Sequence, residues 1–163
     1  HTAANGKPLG AGINPKFVKY NLIDHGFLLN LLGIGDTTNS IVKELLVANT
    51  VDLVDKGSLT EMVAGLELLK YMSSNERHDL YYWQNLTRGT VSEVDYVLSS
   101  GIDIVPMEVK SGLKGSMASL YVFMDKEHIK YGIRCSLENF GEFVNPKGKR
   151  IIVNPLYAIS NLF

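Results

Sequence analysis

The sequence predicts a single α/β domain in which a helix, three strands, a second helix and a fourth strand follow one another, an αβββαβ core with a mixed central sheet and additional N-terminal helices. Three observations predict it. Apolar residues recur at helical spacing over residues 58–72, at Leu59, Met62, Val63, Leu66 and Leu69. Three β-rich segments follow, at 80–84, 91–98 and 102–110, with turn residues Thr87-Arg88-Gly89 and Ser99-Ser100-Gly101 between them. A helical stretch at 116–126 then runs into a strand-like segment at 131–135, a crossover that suits parallel pairing.

Along the chain, residues 1–14, with Gly6, Pro8, Gly10 and Gly12, read as a flexible lead or tag remnant, and residues 15–163 as the domain. His1 in place of an initiator Met suggests a trimmed chain or a fragment of something longer. Residues 17–22 read as a short strand or extended segment. Asp24 is the expected N-cap of a helix reaching residue 32, closed by Gly33 and Gly35, and residues 41–48 suggest another helix. Ser58 and Glu61 have the S-x-x-E spacing of a capping box, which would occupy the Glu61 side chain in the free protein. Pro106 has no N–H for the ladder, so a bulge is expected there, re-aiming Glu108 and Lys110. Residues 151–153 add a strand, and Asn154-Pro155 suit the N-cap and first position of a last helix. No internal repeat is present.

At 163 residues and 45% hydrophobic, the chain can bury one sizeable core. Its single cysteine, Cys135, excludes an internal disulfide and fits a reducing compartment, with a buried thiol expected. No apolar run approaches a membrane span and no secretory signal is visible, so a cytoplasmic location is expected and the sequon Asn85-Leu86-Thr87 reads as coincidence. The net charge of -1 gives no global field for nucleic acid. Half of the lysines and arginines nevertheless fall beyond residue 100: Lys110, Lys114, Lys126, Lys130, Arg134, Lys147, Lys149 and Arg150 form either a basic rim or a scattered solvated surface.

Other chemistries fail on spacing. Gly112-Leu113-Lys114-Gly115-Ser116 is too short for a P-loop, so the chain is not itself an ATPase. His25, His78 and His128 lack the spacing of a zinc site, and Ser111 and Ser119 have no base beside them. Tyr81-Tyr82-Trp83 would alternate faces in a strand, which favours core packing over base stacking.

The segments Glu93-Val94-Asp95-Tyr96 and Met107-Glu108-Val109-Lys110 carry the candidate chemistry. Residues two apart in a strand share a face, so Glu93 and Asp95 are expected together, as are Glu108 and Lys110. If the strands pair, Asp95 and Glu108 can hold one hard cation, Mg²⁺ or Mn²⁺, with Lys110 beside it. Mg²⁺ takes oxygen ligands and keeps several waters, so one or two carboxylates plus phosphate oxygens suffice. A neighbouring lysine can orient a water nucleophile and offset charge in the transition state. The plain alternative is a hairpin with solvated Glu and Lys on its outer face. Against it, these charges interrupt the apolar residues Ile102, Ile104, Val105, Met107 and Val109, where charge is costly unless paired or metal-bound.

The pattern resembles the PD-(D/E)XK nuclease superfamily of restriction-endonuclease-like fold. More narrowly, Tyr81-Tyr82-Trp83, Glu93-Val94-Asp95-Tyr96 and Pro106-Met107-Glu108-Val109-Lys110-Ser111-Gly112 look like a domain of unknown function found C-terminal to AAA-type ATPase modules. The likeness runs from Pro15-Lys16 and Asp24-His25-Gly26, through the stretch from Gly57 to Ala64, to Pro155-Leu156-Tyr157. Val94 stands where the superfamily motif has proline. The resemblance implies Asp95, Glu108, Lys110 and the helix carboxylate Glu61 as catalytic residues. It also implies Mg²⁺ or Mn²⁺ on Asp95, Glu108 and the Val109 carbonyl, with Glu93 accessory, DNA as substrate, and an AAA-type ATPase module in the same full-length chain. The alternative it leaves is a catalytically silent module that binds DNA or mediates assembly for the ATPase.

Overall fold

The computed structural model describes residues 9–10, 13–24, 26–27, 30, 56–72, 79–87, 90–101 and 103–163. Within them the chain runs α1 (Lys56–Tyr71), β1 (Tyr81–Thr87), β2 (Thr90–Ser100), β3 (Asp103–Val109), α2 (Ala118–Lys126), β4 (Tyr131–Ser136), β5 (Gly141–Val144), β6 (Arg150–Pro155) and a 3-10 helix (Leu156–Leu162). The six strands form one mixed sheet in the order β1-β2-β3-β4-β6-β5. The first three pair antiparallel as a meander, β4 runs parallel to both β3 and β6, and β5 closes the far edge antiparallel to β6. The expected succession of helix, three strands, helix and strand is therefore present, as is the parallel crossover through α2.

Two buried clusters hold the layers together. One joins Leu120, Phe123 and Met124 of α2 to Trp83, Val94, Val97, Ile104 and Ile151 of the sheet. The other joins Ala64 and Leu68 of α1, with Ile159 of the 3-10 helix, to Tyr96, Leu98, Val105, Met107, Ile133 and Cys135. Apolar burial of this kind, at roughly 25 cal/mol per Å² removed from water, is what holds helices on a sheet. Tyr82 and Trp83 are buried, and Trp83 meets Phe123 edge to face at 5.1 Å, so this aromatic run is core as expected. Cys135 is fully buried too, and burial pushes its thiol pKa up to about 12.

The structure departs from the sequence reading at four points. Ser58 lies within α1 and not at its cap, and Glu61 reaches Lys19 instead of turning back to the helix amides. Pro106 causes no bulge: β3 pairs with β2 in unbroken register from Tyr96↔Met107 to Ser100↔Asp103, and the ladder with β4 begins only after the proline, at Met107. Asn154 and Pro155 belong to β6, whose pairing with β4 extends to Ser136↔Pro155, and Asn154 donates to the carbonyls of Pro155 and Ala158 where capping would require it to accept. Strand β5 was not anticipated, because all four of its residues are exposed and offer no alternation. Of the two alternatives for residues 17–22, a short strand or an extended segment, the strand is the one not formed. Asp24 accepts the Phe27 N–H, the bond of an N-cap, but most of that expected helix, the one at 41–48, most of the expected lead, His25 and His78 lie outside the described residues. No helix among the described residues is long and apolar enough to cross a membrane.

Candidate functional site

The site is built around an irregularity in β2. Between Tyr81↔Val97 and Trp83↔Val94, two steps along β1 match three along β2, so an extra residue is accommodated at Asp95-Tyr96. A bulge re-aims the side chains it carries and disrupts the ladder locally. The pairing of β2 with β3 stops at the same place: beyond Tyr96↔Met107 the backbones no longer pair, and the Val109 N–H donates to the Asp95 carboxylate at 2.8 Å instead. Strand β3 meanwhile stays paired with β4 through Val109↔Cys135, and the Lys110 N–H donates to the Cys135 carbonyl at 2.8 Å. The E-x-K segment is thus held by β4 on one side while β2 opens away from it on the other.

Helix α1 brings Glu61 to this opening, anchored by the Tyr96 hydroxyl, which donates to the Glu61 carbonyl at 2.7 Å. Gly65, one turn further along α1, has no Cβ because the Tyr96 hydroxyl takes its place. Glu61, Glu93 and Asp95 each offer one carboxylate oxygen, and these lie within 4.8 Å of one another. Glu93 and Asp95 are together as their spacing implied. Glu108 is buried at 6% exposure, with Oε1 2.5 Å from the Lys110 ammonium and Oε2 without a hydrogen-bond partner. The Lys110 stem lies against Gly115, where a Cβ would come within 2.7 Å of Lys110 Cδ. Val109 is buried in the core, with its N–H committed to Asp95.

The electrostatics follow from burying several carboxylates together. Burial, then the neighbouring Glu108 charge, raise the Asp95 pKa to about 6, against the opposing Val109 N–H and the Lys19 and Lys110 charges. Burial also raises Glu108, opposed by its bond to Lys110, and raises Glu61 with help from the Asp95 charge. The donor set is all oxygen, the kind a hard divalent cation takes. The oxygens whose spacing suits one such ion are those of Glu61, Glu93 and Asp95; Glu108, expected as the second ligand, lies outside that trio but within electrostatic reach of Asp95, and its partnerless oxygen is the kind of buried atom that a bound ion would satisfy.

Lys19 is the site residue that sequence reasoning missed. Its ammonium bridges Glu61 Oε1 at 2.6 Å and Glu93 Oε1 at 2.5 Å, 4.9 Å from the centre of the Tyr82 ring. Burial works against its charge, but the bonds and charges of Glu61 and Glu93 outweigh that and raise its pKa. The only signal was one lysine in the apolar run Phe17-Val18-Lys19-Tyr20.

Much of the basic set, read from sequence as either a rim or a scattered surface, is internally neutralised. Lys147 and Lys149 pair with Asp125, Arg150 with Glu142 and buried Arg134 with Glu138. The exposed ones among these pairs contribute little to stability, and all of them leave less positive field for a polyanion.

Comparison with known families matches residues 56–159 to the family described as "Domain of unknown function (DUF4143)". No curated protein and no solved structure matches. The matched span runs from α1 into the 3-10 helix and contains Glu61, Glu93, Asp95, Glu108 and Lys110, whereas Lys19 precedes it.

Proposed function

The chain belongs to the DUF4143 family, and we propose that it acts through this site, as a divalent-metal-dependent nuclease-like domain of the PD-(D/E)XK type that hydrolyses phosphodiester bonds in DNA. The observation that carries the reading is Glu108: a buried carboxylate with one oxygen on Lys110 and the other without a partner, within electrostatic reach of Asp95. The family is typically found with AAA ATPases, which supports an ATPase module as partner in a cytoplasmic protein. The restriction-endonuclease-like fold is part of the same proposal, supported by the αβββαβ order and the mixed sheet.

Asp95 and Glu108 would hold Mg²⁺ or Mn²⁺, with Glu61 and Glu93 accessory and the Val109 carbonyl a further ligand. The ion would polarise a phosphate oxygen and lower the pKa of a bound water. Lys110, fixed by its pair with Glu108 and by the close approach of Gly115, would donate to the scissile phosphate as charge builds on its oxygens. Asp95 is kept in place by the Val109 N–H, which leaves its other oxygen for a ligand.

A second reading, a catalytically silent module that binds DNA or assembles with the ATPase, is favoured by a different observation. Lys19 and Lys110 already give Glu61, Glu93 and Glu108 internal counter-charges. Incubating the protein with single- and double-stranded DNA in Mg²⁺, Mn²⁺ or chelator separates the two. Turnover in metal alone supports the nuclease, and DNA binding without turnover in any condition supports the silent module.

A further inference from the structure

The Lys19 ammonium stands where the acidic pocket would receive a cation. It lies 2.6 Å from Glu61 and 2.5 Å from Glu93, whose oxygens are within 4.8 Å of one another and of Asp95. A divalent ion bound to those oxygens at about 2.0–2.6 Å would bring a second positive centre against the ammonium. Two like charges a few ångströms apart at a partly buried site repel strongly. The pocket therefore has room for one cation at a time. The partnerless, nine-tenths-buried Glu108 oxygen, within electrostatic reach of Glu61 and Lys19, is an independent sign that the set of ligands is incomplete with Lys19 alone.

Resting on the metal-site reading above, we propose that Lys19 is a built-in counter-cation that competes with the divalent ion for the pocket, so that metal enters as the ammonium withdraws. The fold permits the withdrawal. Residues 13–20 form no helix or strand, so moving Lys19 breaks no sheet ladder. Between the two carboxylates and the Tyr82 ring, the ammonium has a defined seat. Lys19 also lies outside the matched span 56–159, so this control over metal occupancy is supplied by the segment in front of the core. A metal-free protein then avoids the mutual repulsion of three clustered carboxylates, and a metal-bound one frees a lysine beside the site.

The test is a calorimetric Mn²⁺ titration of the whole chain, with circular dichroism followed in parallel, for wild type, Lys19→Gln and Lys19→Arg. Glutamine still donates to both carboxylates but has no charge, and arginine keeps the charge. Lys19→Gln is expected to bind Mn²⁺ about tenfold tighter or more, the weight of one removed competing charge, with Lys19→Arg near wild type. If Lys19→Gln is unfolded without metal, refolding at Mn²⁺ concentrations below those that saturate wild type supports the proposal equally, and failure to refold at any concentration overturns it. Equal or weaker Mn²⁺ binding by Lys19→Gln, with wild type still binding, overturns the competition and leaves the metal site standing. Absence of binding in all three proteins overturns the metal site itself, and the proposal with it.

Discussion

The Asp95 carboxylate accepts the backbone N–H of Val109 at 2.8 Å, a side chain taking the hydrogen bond that a neighbouring strand would otherwise take. This one contact joins the bulged part of β2 to the E-x-K segment of β3. It lets the strands diverge without orphaning a buried amide, whose loss of partner would cost about 1–3 kcal/mol. The divergence in turn leaves an opening at which Glu61, Glu93 and Asp95 come together.

The raised Asp95 pKa makes a signed prediction for the metal-free protein. Its folded-state value, about 6, lies above the unfolded value of 3.8, so the native state binds more protons between them and stability falls as pH rises through that window. Asp95→Asn keeps an oxygen for the Val109 N–H and has no such loss. In chelator, denaturant titrations should find Asp95→Asn more stable than wild type at pH 8 by about 3 kcal/mol, with the difference shrinking towards pH 4. A wild type that gains on the variant as pH rises would show that Asp95 is held as a favoured anion.

Divalent metal should raise the melting temperature of wild type, with stabilisation growing as RT ln(1 + [L]/Kd), about 2.7 kcal/mol at a hundredfold excess over Kd. Glu108→Ala and Asp95→Ala should each remove most of it, since each deletes a proposed ligand. A melting temperature that ignores both Mg²⁺ and Mn²⁺, or a response that survives in Glu108→Ala, counts against these ligands.

Gly115→Ala should disturb Lys110 specifically. Its Cβ would meet Lys110 Cδ at 2.7 Å, and the backbone φ of +156° is one that side chains rarely adopt. The expected cost is about 1–3 kcal/mol of stability, together with lower cleavage at unchanged DNA affinity. Gly112→Ala, where a Cβ meets nothing within 4 Å, is the control. Equal behaviour of the two variants would mean that the Lys110 stem does not depend on this loop.

The parts of the site legible in the sequence were those carried by adjacent strands. Glu93 with Asp95, and Glu108 with Lys110, follow from a two-residue period, and the helix at 56–71 follows from its apolar spacing. Glu61 was legible as a residue but ambiguous in role, because the spacing of a capping box and of a site carboxylate is the same until the start of the helix is known. The bulge was expected beside the wrong residue. Pro106 is a visible breaker, whereas the break at Asp95-Tyr96 comes from how β1 and β2 register, which no local residue type announces. Lys19 was not legible because its partners are 42 residues or more away in sequence, in a segment with no regular structure. Strand β5 was hidden by its exposure, being specified by pairing with β6 and by the turn in which Asn145 accepts the Lys147 and Lys149 amides.

The most direct measurement is cleavage of DNA in Mg²⁺ by wild type and Lys110→Ala side by side, with DNA affinity measured on the same samples. In the proposed mechanism the Lys110 charge is aimed at the reacting phosphate, and losing one preorganised charge of that kind typically costs on the order of 10²- to 10³-fold in rate. One lost phosphate-range charge changes affinity only modestly. Metal-dependent cleavage by wild type, falling by that factor in Lys110→Ala at nearly unchanged affinity, is the predicted result. A wild type that binds DNA without cutting it, and a Lys110→Ala variant that weakens binding as much as Lys147→Ala or Lys149→Ala does, would contradict the nuclease reading and make Lys110 one more basic surface residue.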